Sequence, residues 1–148
     1  MNKMKTIFTF LTLLFVATLF TGCSKNTETP LSPEGQAVKY LTGDGNRYWH
    51  LKKIYVNGIA QAITTAQQQY TKTYTINPAM PYAGSFTNYD GYIGTWKLQG
   101  IYTLKETITN NPAGPVPAAY DINLLNETTL DIELTANLKT VREVYNAY

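Results

Sequence analysis

The chain has one cysteine, Cys23, and one histidine, His50, in 148 residues. A single thiol excludes an internal disulfide and any metal site built on several thiolates. A single histidine leaves little for hydrolysis: a Ser-His-Asp triad would have to use His50, and the Gly-x-Ser-x-Gly turn that presents such a serine is absent. Charged side chains make up only 15% of the residues and form no basic cluster, so neither a nucleic-acid backbone nor anionic lipid finds a counterpart. No apolar run reaches the ~20 residues that a membrane-crossing helix needs. The longest, Ile7 to Phe20, has fourteen, threonines included.

That run reads as an address. Lys3 and Lys5 precede it and no charge interrupts it, which is the pattern of a secretory signal. It ends in Thr21-Gly22-Cys23, small residues before the only thiol. The stretch resembles the lipobox of bacterial lipoproteins, in which the cysteine is acylated and becomes the first mature residue. Phe20 stands where that family more often has leucine. The resemblance implies a signal peptide over residues 1–22 and a lipid attachment point, not a nucleophile, at Cys23. Anchoring to the bilayer would then come from acyl chains at about 0.8 kcal/mol per buried CH₂. It also implies an outer-membrane lipoprotein of the cell envelope, facing the periplasm or the cell surface. The plainer reading is an ordinary signal peptide with an incidental cysteine.

Losing residues 1–22 removes Lys3 and Lys5, which leaves ten basic against ten acidic side chains. "SKNTETPLSPEG" (24–35) is polar and carries two prolines, so residues 23–38 read as a flexible tether and residues 39–148 as one domain with one core.

From Tyr48 onward, Tyr, Thr, Ile and Leu are broken at short intervals by Gly, Asn, Asp and Pro, the chemistry of strands and turns. "YWHLKKIYV" puts Trp49 and Leu51 on one face. Ile54 and Val56 then shift phase, which predicts a β-bulge at Lys52-Lys53 before an Asn57-Gly58 turn. "AITTAQQQY" predicts a helical turn capped by Thr64 or Thr65. In "YTKTYTI", Tyr70, Tyr74 and Ile76 share a face, and Lys72 shares it with them. Asp90-Gly91 predicts a two-residue hairpin turn, after which Tyr92, Gly94, Trp96 and Leu98 alternate, with Tyr102 and Leu104 continuing in the next strand. "AYDINLL" places Tyr120, Ile122 and Leu124 together, and "TLDIELT" sets Leu130, Ile132 and Leu134 opposite Asp131 and Glu133.

About eight strands joined by short links favour an antiparallel meander over a Greek-key sandwich. A meander of that size can close and remove both edges. The expected fold is all-β, a small eight-stranded up-and-down barrel. Trp49-x-Leu51, "YTKTYTI", "GSFTNYDGYIGTWKL" and the Leu-Asp-Ile-Glu-Leu strand together resemble the lipocalin-like domains of Bacteroidetes lipoproteins, over about residues 40 to 148. The resemblance implies a calycin-type barrel on a lipid anchor, in a family mostly without assigned activity. True lipocalins have Gly-x-Trp in the first strand, where this chain has Arg47-Tyr48-Trp49. They also lay an arginine from the end of the barrel over that tryptophan. Arg142 would take this closing role by a cation–π contact with Trp49, or else point into solvent.

His50 follows Trp49 and so faces outward if Trp49 is buried. No metal-ligand spacing surrounds it, and no cofactor is implied. Asp131 and Glu133 read as a solvated strand face. Glu106 and Glu143 are undecided between the barrel's inside and outside.

Twelve tyrosines suit either a core or a binding surface. The candidate ligand contacts are Trp49, Tyr74, Tyr89, Tyr92, Trp96 and Tyr102, with Asn88 and Tyr82 beside the turns; the alternative is that these aromatics merely fill the barrel and its rims.

The first functional expectation is a membrane-anchored module that binds a small apolar or carbohydrate ligand. The other is a non-catalytic structural or interaction lipoprotein that docks an envelope protein, or inhibits a secreted enzyme. An enzyme is not expected, and a nucleic-acid partner is not expected.

Overall fold

The computed structural model describes residues 30–148. The signal sequence and Cys23 lie outside the described residues.

A helix precedes the strands. In α1 (Pro33–Thr42) the Ser32 hydroxyl accepts the Gly35 amide at 3.0 Å, a proline occupies the first turn, and Glu34 sits near the positive end of the helix dipole. Its inner face, Ala37, Val38 and Leu41, joins the core of the barrel. The tether expected over residues 23–38 therefore overlaps a packed helix, and the compact unit runs from Leu31 to Tyr148. Ser32, Pro33 and Glu34 of this segment, read as linker, are helix-start chemistry.

The strands are β1 (Asn46–Val56), β2 (Ile59–Gln61), β3 (Thr71–Asn77), β4 (Met80–Asn88), β5 (Ile93–Gln99), β6 (Thr103–Ile108), β7 (Val116–Leu125), β8 (Thr129–Ala136) and β9 (Lys139–Ala147). A helical turn, α2 (Thr65–Gln68), stands before β3 with Thr64 and Gln67 forming a reciprocal capping box. Every neighbouring pair is antiparallel, and β9 returns to pair with β1 from Trp49↔Ala147 to Val56↔Val141. Eight strands thus close an up-and-down barrel. The short β2 forms a hairpin on the far end of β1 through Asn57-Gly58, both at positive φ.

Of three register shifts, one at the β3–β4 turn (Ile76/Asn77) and two within longer strands, the latter two decide which side chains face inward. The expected bulge in β1 lies between Leu51 and Lys53, so that Trp49 and Leu51 are buried before it and Ile54 packs on the core after it. A second, between Ile122 and Leu124, was not foreseen. It turns Leu124 out and Leu125 in, which corrects the grouping of Leu124 with Tyr120 and Ile122. The β4–β5 connection is also longer than the expected two-residue turn. Tyr89 to Tyr92 form the link, and only Gly91 has positive φ. Asn88 holds it, its side-chain oxygen accepting the Tyr92 amide at 3.0 Å.

The barrel has a closed end and an open end. α1 covers the first, where Trp49 Nε1 donates to the Leu41 carbonyl at 2.9 Å. The other is bounded by α2, the Tyr89–Tyr92 turn, the loop over residues 109–115 and the β8–β9 turn.

Candidate functional site

The middle of the barrel is filled. Trp49, Tyr74, Phe86, Trp96 and Tyr145 are at most 1% exposed. Among them lies an ionic cluster: Lys72 from β3 meets Glu106 from β6, with Nζ 3.0 and 3.2 Å from the two carboxylate oxygens, and the Tyr74 hydroxyl donates to Glu106 Oε1. The ammonium also lies 4.8 Å from the Tyr120 ring and 5.9 Å from the Tyr145 ring. Burial opposes the charge on Lys72, yet the surrounding oxygens of Tyr74 and Glu106 outweigh it and hold its pKa well above the ordinary value. Burial pushes the Tyr74 and Tyr145 hydroxyls well up and Tyr120 up to about 12. This cluster is structural: it is sealed and fully paired.

Towards the open end the interior becomes a cleft of about 300 Å³. Leu51 and Ile54 from β1, Ala66 and Gln67 from α2, Tyr70, Tyr89 and Asp90, and Glu143 from β9 line it. Asn88 donates to the Tyr70 hydroxyl at 2.9 Å, and Tyr89 donates to Gln69 Oε1 at 3.1 Å, so the hairpin turn is tied to the α2–β3 link. Glu143 faces inward two residues from Tyr145, whose hydroxyl donates to Glu143 Oε2 at 2.7 Å. A half-wet cavity with aromatic walls and a few fixed polar groups is binding geometry.

The expected ligand contacts divide. Trp49, Tyr74 and Trp96 are core and line neither this cleft nor three others among the described residues. Tyr102 lies in the β5–β6 turn at the closed end, 72% exposed, because Ile101 takes the inward position there. Tyr92 is exposed in the hairpin turn, and Tyr82 is exposed on β4. Of the six, only Tyr89 lines the open-end cleft. Tyr70 and Glu143, which complete it, had their signal in the phase of their strands: Tyr70 shares the face of Tyr74, and Glu143 that of Tyr145.

Arg142 is not over Trp49. It points outward, where its guanidinium grips Asp131 through Nε–Oδ1 at 2.8 Å and Nη2–Oδ2 at 2.5 Å and covers the Tyr55 ring at 5.1 Å. The Tyr145-inward phase of β9 forces this. Arg47 takes the place over Trp49, 5.7 Å from the ring, and donates to the carbonyls of Tyr40 and Glu127. The expected wet face of β8 is likewise closed at Asp131, which is only 5% exposed beneath Arg142. His50 faces away from the core, engaging the Gln68 carbonyl through Nε2 and standing edge-on to Tyr148.

No family model matches the sequence, and no curated protein matches it either. Two solved structures are similar in outline. A de novo designed fluorescence-activating β-barrel aligns with TM-score 0.44 and 10% identity, covering 76% of this chain and 98% of that one. A chain described as EF1p2_mFAP2b bound to DFHBI aligns with TM-score 0.42 and 15% identity over the same shares of both chains.

Proposed function

We propose that this chain is an envelope lipoprotein, acylated at Cys23, whose barrel binds a small carbohydrate or apolar ligand at its open end and performs no catalysis. The cleft between α2, the Tyr89–Tyr92 turn and Glu143 carries this reading: tyrosine faces and aliphatic side chains meet amide and carboxylate groups above a filled core. The ligand sits in the mouth, since the interior itself has no room. Native mass spectrometry of the mature chain from its own organism tests the reading. A retained small molecule that is lost in Ala66→Trp, which fills the cleft from the exposed side of α2, supports it; a ligand-free spectrum with unchanged Ala66→Trp behaviour overturns it. Labelling with an alkyne fatty acid tests the anchor, and Cys23→Ser should abolish the label.

A second reading is favoured by a different feature. Between α1 and β7 runs a groove of about 300 Å³ lined by Ala37, Tyr40, Ile101, Ile122 and Leu125, with Tyr102 and Leu124 exposed at its edge. Such a surface suits docking of another envelope protein, or an enzyme to be inhibited. A pull-down from detergent-solubilised envelope that returns no stoichiometric partner removes it.

A further inference from the structure

We propose that the open-end cleft takes a ligand bearing a protonated amine, such as an amino sugar or a primary alkylamine; this rests on the ligand-binding reading above. The charged side chains lining the cleft are Asp90 and Glu143, both acidic, with no lysine, arginine or histidine among them. They arrive from separate elements, Asp90 from the β4–β5 turn and Glu143 from β9.

The two carboxylates are held differently. Tyr145, wholly buried, donates to Glu143 Oε2, which anchors that carboxylate to the floor. Glu143 Oε1 and both oxygens of Asp90 have no protein donor among the described residues. Their joint field reaches the Tyr70 hydroxyl: burial raises its pKa first, and Glu143 and Asp90 add to that against the lowering effects of Lys72 and Asn88. The Lys72 ammonium below acts on Tyr70 more strongly than Glu143 does, but with Glu106 at 3.0 Å that buried pair adds no net charge beneath the cleft.

A neutral sugar can donate hydroxyls to the exposed Asp90 and half-buried Glu143 carboxylates but leaves both of their charges unbalanced. An ammonium supplies the donors and the opposite charge together, and Tyr70 and Tyr89 offer ring faces for its positive charge. A cleft of about 300 Å³ is the lower end of small-molecule sites and fits one ring or one branched amine.

The test compares isosteres on the full mature chain in detergent, followed by amide chemical shifts of Gln67, Asp90 and Glu143. Cyclohexylamine is set against cyclohexanol, and glucosamine against glucose. The cationic member of a pair should bind about tenfold tighter or more. Glu143→Gln should erase that preference, as should Asp90→Asn in the exposed turn if the deeper variant folds poorly. Equal binding within both pairs overturns the amine preference and leaves the cleft as a neutral-ligand site. No shift from any of the four probes also overturns it, while a neutral molecule retained in the native mass spectrum would keep the binding reading intact.

Discussion

Lys72 Nζ lies 3.0 Å from Glu106 Oε2 inside the barrel, and each side chain is only 5% exposed. The pair joins β3 to β6, strands that share no hydrogen bonds. A buried ion pair is a weak source of net stability, but removing one partner strands a charge in the core. Glu106→Gln should therefore cost about 3–5 kcal/mol in urea unfolding, whereas Lys72→Met with Glu106→Leu together should recover most of the loss. Additive losses in the double variant would show that the pair contributes net stability instead.

Alkali should unfold the barrel. Tyr120 is raised by burial from 10.0 to about 12, with Glu106 adding to the rise and Lys72 opposing it; Tyr74, Tyr145 and Lys72 are raised as well. A group whose folded pKa is raised holds more protons in the folded state. Its stabilisation is complete below the unfolded pKa and is lost as pH climbs through the folded one. Tyr120 alone accounts for about 2–3 kcal/mol between roughly pH 10 and 12. Urea midpoints should fall across that window, tyrosinate absorbance should rise with unfolding, and Tyr120→Phe should flatten part of the slope. Midpoints that stay level to pH 12 would contradict this.

The eight barrel strands were legible in the sequence because one wet and one dry face impose a period of two, and Lys52-Lys53 marked a bulge by breaking that period. Helix α1 was not, since Ser32, Pro33 and Glu34 have the same composition in a linker as at a helix start. Lys72 is the most instructive residue. Its phase put it inside, and only the partner 34 residues away, Glu106, explains why a lysine is tolerated there. The open-end cleft was legible in part: Tyr89 came from the turn, but Glu143 needed the phase of β9, which pairing with both β8 and β1 fixes. Arg142, read either as lying over Trp49 or as pointing into solvent, stayed undecided for the same reason, and the outward alternative is the one the structure takes.

The Arg142 pair on the outer wall should behave unlike the one inside. Asp131 is covered while the arginine side chain is 40% exposed, so solvent screens the attraction from one side. Hydrogen bonding to Asp131 is the main cause of the raised Arg142 pKa. Arg142→Lys keeps the charge and loses the two-pronged geometry, and should cost about 1 kcal/mol. Asp131→Asn should cost no more, because solvent takes over the freed guanidinium. Both are read from urea midpoints at neutral pH, and a loss as large as that of Glu106→Gln would mean the outer pair is sealed like the inner one.

Gly84 and Gly94 stand where the wall of the barrel has no room for a side chain. A Cβ on Gly84 would stand 1.9 Å from the Thr75 carbonyl oxygen and 2.8 Å from Trp96 Nε1, which itself donates to that same oxygen at 3.1 Å. A Cβ on Gly94 would meet the Thr107 oxygen at 2.3 Å and the Phe86 ring at 2.5 Å. Backbone oxygen cannot step aside without breaking a ladder bond, so Gly84→Ala must either part β3 from β4 or displace Trp96 from the core. We expect roughly 3 kcal/mol of destabilisation from Gly84→Ala and a similar loss from Gly94→Ala. Gly91→Ala in the open turn meets no neighbour and should cost only about 1 kcal/mol through its positive φ. Thermal unfolding of the three variants gives the order. If Gly91→Ala proved the most harmful, chain conformation at the turn would outweigh close packing at the wall in holding the cylinder shut.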